Sequence, residues 1–184
     1  MQTHIQELCE HLESKDVISL VLIAKENSDF LLKLGGTDSH DSIFFSRDFF
    51  CSSLFDYLKT IGIGLVHFHH VIGISKNILK FSDILKCKQV VTYHDYFIIC
   101  GNPTLTDKNG QYTEDEKRWG DNPIFGRLES DIIENYRNLV DKNSLNIFTS
   151  ESVFRIIKNH FDVKNPVIAP HIETNRPPRI NIFI

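Results

Sequence analysis

Apolar residues recur along the chain in two patterns, and each pattern predicts a different kind of element. Ile5, Leu8, Cys9 and Leu12 are spaced as on one face of a helix. The run from Asp16 to Ala24 is instead continuously apolar and rich in β-branched residues, which is typical of a buried strand. The chain is therefore expected to open with a helix followed by a strand.

Shorter apolar stretches predict two more strands and a second helix. The strands are expected over 30–34, closed by Gly35-Gly36, and over 42–46. The helix is expected over 49–61, because apolar residues recur there at helical spacing and Gly62 and Gly64 follow as end signals.

From residue 62 onward, strand and helix patterns alternate. Strands are predicted over 65–69, 89–93, 145–149 and 166–170, and helices over 75–85, 128–143 and 153–161. Such alternation favours a parallel sheet with helices on its faces, so the expected fold class is α/β with a Rossmann-like parallel sheet. The segment 99–127 breaks the alternation, and its Gly, Pro, Asn and Asp content predicts a long functional loop.

Composition narrows the class of protein. The 184 residues fit one domain, with 41% hydrophobic and 24% charged residues and a net charge of −4. That charge argues against a nucleic-acid partner. The polar N-terminus and the lack of an apolar stretch of about 20 residues predict a cytoplasmic protein; a peripheral contact at the inner membrane face stays open. The cysteines (Cys9, Cys51, Cys87 and Cys100) form no C-x-x-C pair and are expected to be reduced.

The C-terminal end has its own pattern. Residues 1–174 are expected to form one domain, and 175–178 (NRPP) reads as a linker. The final INIFI, 180–184, predicts a strand. It is either the start of a second domain or a strand that docks on the first sheet.

Polar side chains collect where two of the predicted strands end, which is where open α/β sheets bind ligands. His67, His69 and His70 end one strand, and the alternation of a strand places His67 and His69 on one face and His70 on the other. The alternative for His67 is a core histidine that forms a hydrogen bond to the backbone or to a neighbouring polar group. His94 and Asp95 follow the next strand, where imidazole and carboxylate suit sugar hydroxyls or phosphate, and Asp95 could equally cap the following segment.

These stretches together resemble the bacterial family-4-type glycosyltransferases of surface-polysaccharide synthesis. The likeness runs over about 62–175 and rests on the histidine run, on Gly73, on Thr92-x-His94-Asp95-Tyr96, on Cys100 and on Ser150-Glu151. It departs from the family where Gly101 stands in place of proline after Cys100, and where Gln111 stands in place of a cysteine. The family's Glu-x7-Glu motif has no counterpart in this chain.

The resemblance implies the acceptor-side half of a two-domain GT-B enzyme, facing a separate C-terminal domain that grips a nucleotide-sugar donor. The implied partners are that donor and a saccharide or lipid-linked acceptor, with retention of configuration and no metal or other cofactor. His94 and Asp95 would be catalytic, while His69, His70, Tyr96 and Asn102 would bind substrate, and loop 101–127 would shape the acceptor site. The isolated acceptor-side half is not expected to catalyse glycosyl transfer by itself.

Two other readings use the same residues. His67, His69, His94 and Asp95 could ligate a divalent metal in a hydrolase. A non-catalytic binding module could instead use the acidic loop 113–117 and Trp119 as a partner surface, unless Trp119 packs back on the domain.

Overall fold

The computed structural model describes residues 2–24, 30–34, 42–45, 50–71, 78–122, 130–141 and 144–170. It divides into two compact units. The first unit is formed by residues 1–66 and 72–88, and the second by 67–71 and 89–184, in each case as far as they are described. The prediction of one acceptor-side domain over 1–174 is not tested by this division, and 175–184 lies outside the described residues.

The first unit contains an antiparallel sheet and helices. Its elements are α1 (Gln2–Glu13), β1 (Leu20–Ala24), β2 (Phe30–Leu34), β3 (Ser42–Phe45), α2 (Phe50–Ile61), a 3-10 turn (Ile78–Lys80) and α3 (Phe81–Leu85). The strands lie in the order β1-β2-β3. Leu22 pairs with Leu32, and Phe30 pairs with Phe45. Phe30, Leu32 and Phe45 are buried, so one face of this sheet carries the core of the unit.

The first predicted strand begins later than its apolar run. Asp16 has a φ of 59° and takes part in the turn that ends α1, so only Leu20–Ala24 pair as a strand. Helix α2 matches its prediction, with Leu54, Phe55 and Leu58 buried and the Phe55 ring 4.8 Å from that of Phe81. Gly62 follows α2 with a φ of 73°, the left-handed conformation that favours glycine after a helix.

The remaining strands form a four-stranded parallel sheet in the order β4-β5-β6-β7. They are β4 (Leu65–Phe68), β5 (Lys88–Tyr93), β6 (Leu145–Phe148) and β7 (Pro166–Ile168). The helices are α4 (Phe97–Cys100), α5 (Glu116–Trp119), α6 (Ser130–Asp141) and α7 (Glu151–Lys158). A parallel sheet flanked by helices confirms the predicted α/β, Rossmann-like fold class.

The second unit packs its helices around buried aromatic and aliphatic residues. Phe148 on β6 is fully buried, with its ring 4.8 Å from Tyr93 and 5.0 Å from Phe154. Leu139 and Val140 of α6 are buried as well. Helix α7 begins where the Ser150 hydroxyl accepts a hydrogen bond from the Val153 amide at 3.2 Å, the cap that its sequence predicts.

Several sequence features lie outside the described residues: Gly35-Gly36, Gly73 and the final INIFI strand. The described part of the segment 99–127 is more regular than predicted, because it contains α5 and an isolated bridge between Thr106 and Tyr112. Within the described parts of the chain, no helix has the length and apolar character needed to span a membrane.

Candidate functional site

A small pocket lies at the carboxyl ends of β4 and β5, within the second unit. It is lined by residues of those two strand ends and of α4: Phe68, His69, His70, Val71, Val91, Thr92, Tyr93, His94, Asp95 and Ile98. Its cavity volume is about 20 Å³. Because one buried water needs about 10–15 Å³ by the same measure, the pocket holds a hydroxyl-sized group rather than a whole nucleotide sugar.

His67 and His69 share one face of β4, as the alternation of the strand predicts. Their ring centroids are 3.9 Å apart with a tilt of 36°. The Nε2 atom of His67 lies 2.8 Å from the Thr92 hydroxyl on β5, so His67 bonds a polar neighbour in the sheet. His67 thereby supports the ring of His69 and is not among the residues that line the pocket.

His69 and His94 meet across the two strands. The Nδ1 atom of His69 lies 3.5 Å from the Nε2 atom of His94, and the ring centroids are 5.8 Å apart. This N···N separation is longer than an ordinary N–H···N hydrogen bond. The two nitrogens therefore face each other with a weak mutual bond inside the pocket.

His70 and Asp95 form a second pair. Nε2 of His70 lies 3.3 Å from Oδ2 of Asp95, and about a quarter of each side chain is exposed. Oδ1 of Asp95 accepts a hydrogen bond of 2.9 Å from the amide of Phe97, the first residue of α4. Asp95 is fixed by two partners, and it points away from His94 toward His70, as expected for adjacent residues.

One register produces all three contacts. His67 and Thr92 are 25 residues apart, as are His69 and His94. His70 and Asp95 have the same separation, since 95 − 70 = 25. In a parallel pair, residues opposite each other keep a constant offset, so the two polar clusters of the sequence meet because β4 and β5 run side by side.

Tyr96 and Asn102 lie outside the lining of this pocket. Burial raises the pKa of Tyr96, and the neighbouring Tyr112 adds to the effect while a hydrogen bond to Ser152 opposes it. Asn102 is fully buried. Its Nδ2 donates to the carbonyls of Thr106 and Trp119 at 2.7 and 3.1 Å. The side chain of Asn102 therefore connects separate parts of the loop over 101–122.

The loop over 101–122 is held by its own polar groups. Asp107 accepts hydrogen bonds from the amides of Asn109 and Gln111 and pairs with Arg118. The amide of Gln111 contributes most to holding the pKa of Asp107 below its usual range, and Arg118 adds to the effect. Asn122 donates to Thr106 at 2.9 Å. The described loop is therefore internally braced.

Trp119 packs inside the second unit. It is only 6% exposed, and its Nε1 donates to the Thr113 carbonyl at 2.7 Å. The ring of His160 lies 5.6 Å away in an edge arrangement. Trp119 therefore braces the loop and offers no exposed partner surface.

One buried group near the site was missed in the sequence. Tyr136 of α6 donates to the Val71 carbonyl at 3.4 Å, beside the pocket. Burial and the nearby Asp95 charge raise the pKa of Tyr136 to about 12. In the sequence Tyr136 is one of the apolar residues at helical spacing and reads as core, so no local signal sets it apart.

The metal-site reading lacks a ligand set in the described chain. Among these residues, no three His, Cys, Asp or Glu side chains are placed to hold one ion. Within the same residues, Cys9, Cys87 and Cys100 form no disulfide, and burial raises the pKa of Cys87. The side chain of Cys51 lies outside this description.

No protein-family model, curated protein or solved structure matches this chain.

Proposed function

We propose that this chain is the acceptor-side half of a GT-B-type glycosyltransferase, which moves a sugar from a nucleotide-sugar donor to a saccharide or lipid-linked acceptor. The supporting observation is that both polar clusters of the sequence meet in one pocket at the carboxyl edge of a parallel sheet. Ligands of open α/β sheets bind at that edge.

The chemistry of the pocket suits a sugar. Imidazole nitrogens can donate to or accept from a hydroxyl, and the Asp95 carboxylate accepts. Glycosyl transfer passes through an oxocarbenium-like transition state that positioned polar groups stabilise. In the proposal, His94 contacts the donor sugar, Asp95 positions substrate through its pairing with His70, and His69 and His70 line the cleft.

The size of the pocket agrees with a half-site. In the proposal, this pocket of about 20 Å³ holds part of one sugar ring, and a separate donor-binding domain binds the nucleotide and its phosphates. In this proposal Tyr96 and Asn102 serve the acceptor side, with Asn102 acting through the loop that its amide holds.

The test is nucleoside diphosphate release from a panel of nucleotide sugars, with saccharide acceptors present and the chain joined to a donor-binding domain. His94→Ala is compared with His11→Ala, which removes an exposed histidine of α1. Release from one donor that is lost in His94→Ala and kept in His11→Ala supports the proposal. Equal release from wild type and His94→Ala would refute the role of His94.

No observation favours either rival function. The hydrolase needs a ligand set that the described residues do not assemble. The binding module combined the acidic loop 113–117 with an exposed Trp119, and Trp119 is buried.

A further inference from the structure

Asn109 is the only asparagine of the chain that a glycine follows, and it is exposed on the loop over 101–122. We propose that Asn109 is a site of spontaneous deamidation and that the hydrogen bonds of Asp107 control how fast it reacts. The inference concerns the covalent state of this loop and holds whether or not the chain takes part in glycosyl transfer.

The reaction needs only the chain and water. The backbone nitrogen of Gly110 gives up its proton and attacks Cγ of Asn109, Nδ2 leaves as ammonia, and a five-membered succinimide ring forms between the two residues. Water then opens the ring at one of its two carbonyl carbons, which leaves aspartate or isoaspartate at this position. The atoms balance, with one water consumed and one ammonia released.

Gly110 favours the attack for two structural reasons. Glycine has no side chain that obstructs the approach of its nitrogen to the neighbouring amide carbon. Gly110 has a φ of 74°, and apart from its chain neighbours no atom of the described residues lies within 4 Å of the place where a Cβ would stand. Gly110 and Asn109 are both exposed, so water reaches the ring once it forms.

The turn around Asn109 holds the attacking nitrogen. The Gly110 amide donates to the Asp107 carbonyl at 2.9 Å, and the Asp107 amide donates to the Gln111 carbonyl at 2.8 Å. The Gly110 nitrogen can lose its proton and turn toward Cγ of Asn109 only after its bond to Asp107 breaks. The closed turn therefore opposes the reaction.

The Asp107 carboxylate keeps this turn closed. Oδ1 accepts from the amides of Asn109 and Gln111 at 2.8 and 3.1 Å, and Oδ2 pairs with Arg118. The side chain of Asp107 is only 3% exposed, so water does not readily replace these partners. Hydrogen bonds to a charged group are also stronger than those between neutral groups. Deamidation in the folded chain is therefore slower than in an unconstrained peptide.

The two products change the loop differently. In isoaspartate the main chain runs through the former side chain, which adds one methylene between residues 109 and 110. The amides of Gly110 and Gln111 then no longer match their acceptors on Asp107, so the turn loosens. Aspartate keeps the backbone and adds one negative charge to a chain whose net charge is −4.

The test follows deamidation of the folded chain at mildly alkaline pH by peptide mapping and mass spectrometry. Mass detects the exchange of amide for acid at Asn109, and chromatography separates aspartate from isoaspartate. A synthetic peptide of residues 104–114 gives the unconstrained rate. We expect the folded chain to react at least about tenfold more slowly than the peptide, because opening the turn breaks several hydrogen bonds that each shift an equilibrium by up to about tenfold.

Matched variants separate the bonds of Asp107 from its charge. Asp107→Ala removes the carboxylate and should react at least about fivefold faster than wild type. Asp121→Ala removes an exposed carboxylate of the same loop and should leave the rate unchanged. Asn109→Gln should abolish the mass change, because its longer side chain cannot form the five-membered ring.

Far-UV circular dichroism and Trp119 fluorescence confirm that each variant is folded. If Asp107→Ala does not fold, Arg118→Gln carries the comparison, since it removes one partner of the carboxylate and should give a smaller acceleration. A folded wild type that reacts as fast as the peptide overturns the proposal. It is overturned equally if the folded variant at Asp107 or Arg118 reacts no faster than wild type, or if Asn109 reacts in neither the chain nor the peptide.

Discussion

Replacing Asn102 should loosen the braced loop of the second unit, because the side chain of Asn102 joins three parts of that loop. Nδ2 donates to the carbonyls of Thr106 and Trp119, and Oδ1 accepts from the amide and hydroxyl of Thr104 at 3.1 and 3.2 Å. The residue is fully buried. In Asn102→Ala, water cannot readily replace these partners, so buried carbonyls lose their donors.

The magnitude follows from these four hydrogen bonds. Each one contributes about 0.5–1.5 kcal/mol net, and bonds made by one side chain add less than fully. Asn102→Ala is therefore expected to lower the free energy of unfolding of the loop by about 2–4 kcal/mol. Asn102→Asp keeps the size but removes both N–H donors, so it should cost at least as much.

The assay is urea unfolding followed by tryptophan fluorescence. Trp119 is the single tryptophan of the chain, is 6% exposed and accepts one of these bonds through its carbonyl, so its emission reports this loop. Asn109→Ala, at an exposed position of the same loop, serves as the control and should shift unfolding by less than about 0.5 kcal/mol. If Asn102→Ala shifts unfolding no more than Asn109→Ala does, the account of the loop is wrong.

Three further predictions address the core, a helix cap and the buried tyrosine. Phe148→Ala should cost about 3–5 kcal/mol in urea unfolding, because the ring is fully buried between two aromatic side chains; a loss below about 1 kcal/mol would contradict this packing. Ser150→Ala should cost about 1 kcal/mol by removing the cap of α7, and Ser150→Asp, which also caps, should recover most of it. Tyr136 has a folded pKa of about 12 against an ordinary value of 10, so the unfolded chain releases this proton first and stability falls from pH 10 to about pH 12. The free energy of unfolding should fall by about 1.4 kcal/mol per pH unit through this group. This contribution should vanish in Tyr136→Phe when urea unfolding is compared at about pH 9 and about pH 11.5. An equal pH dependence of the unfolding free energy in wild type and Tyr136→Phe would refute the assignment.

Local patterns were sufficient to predict the elements around the site. The period of a strand placed His67 and His69 on one face, and the rings are indeed in contact. The same rule separated His94 from Asp95, which turn to different partners. Asp95 was also considered as a cap of the following segment, and its carboxylate does accept a bond from the Phe97 amide, although Tyr96 holds the cap position of α4. Each of these statements depends on neighbours in the chain, which periodicity and capping rules describe.

Other features depend on contacts that no local pattern encodes. The first three strands form an antiparallel sheet of their own, and their apolar runs do not specify that pairing. Tyr136 approaches the site through the packing of α6, although its spacing indicates only a core residue. Asn102 was expected at the substrate, and that role remains a prediction. Its four hydrogen bonds within the loop depend on how the loop folds back.

The two polar pairs of the pocket are one consequence of strand register. All three cross-strand contacts join residues 25 positions apart, so a single register accounts for both pairs. A slip of one residue between β4 and β5 would oppose His70 to His94 and His69 to Tyr93, and it would reverse which face each side chain occupies. The proposed sugar contact at His94 requires this register, because the register brings His94 into the pocket beside His69.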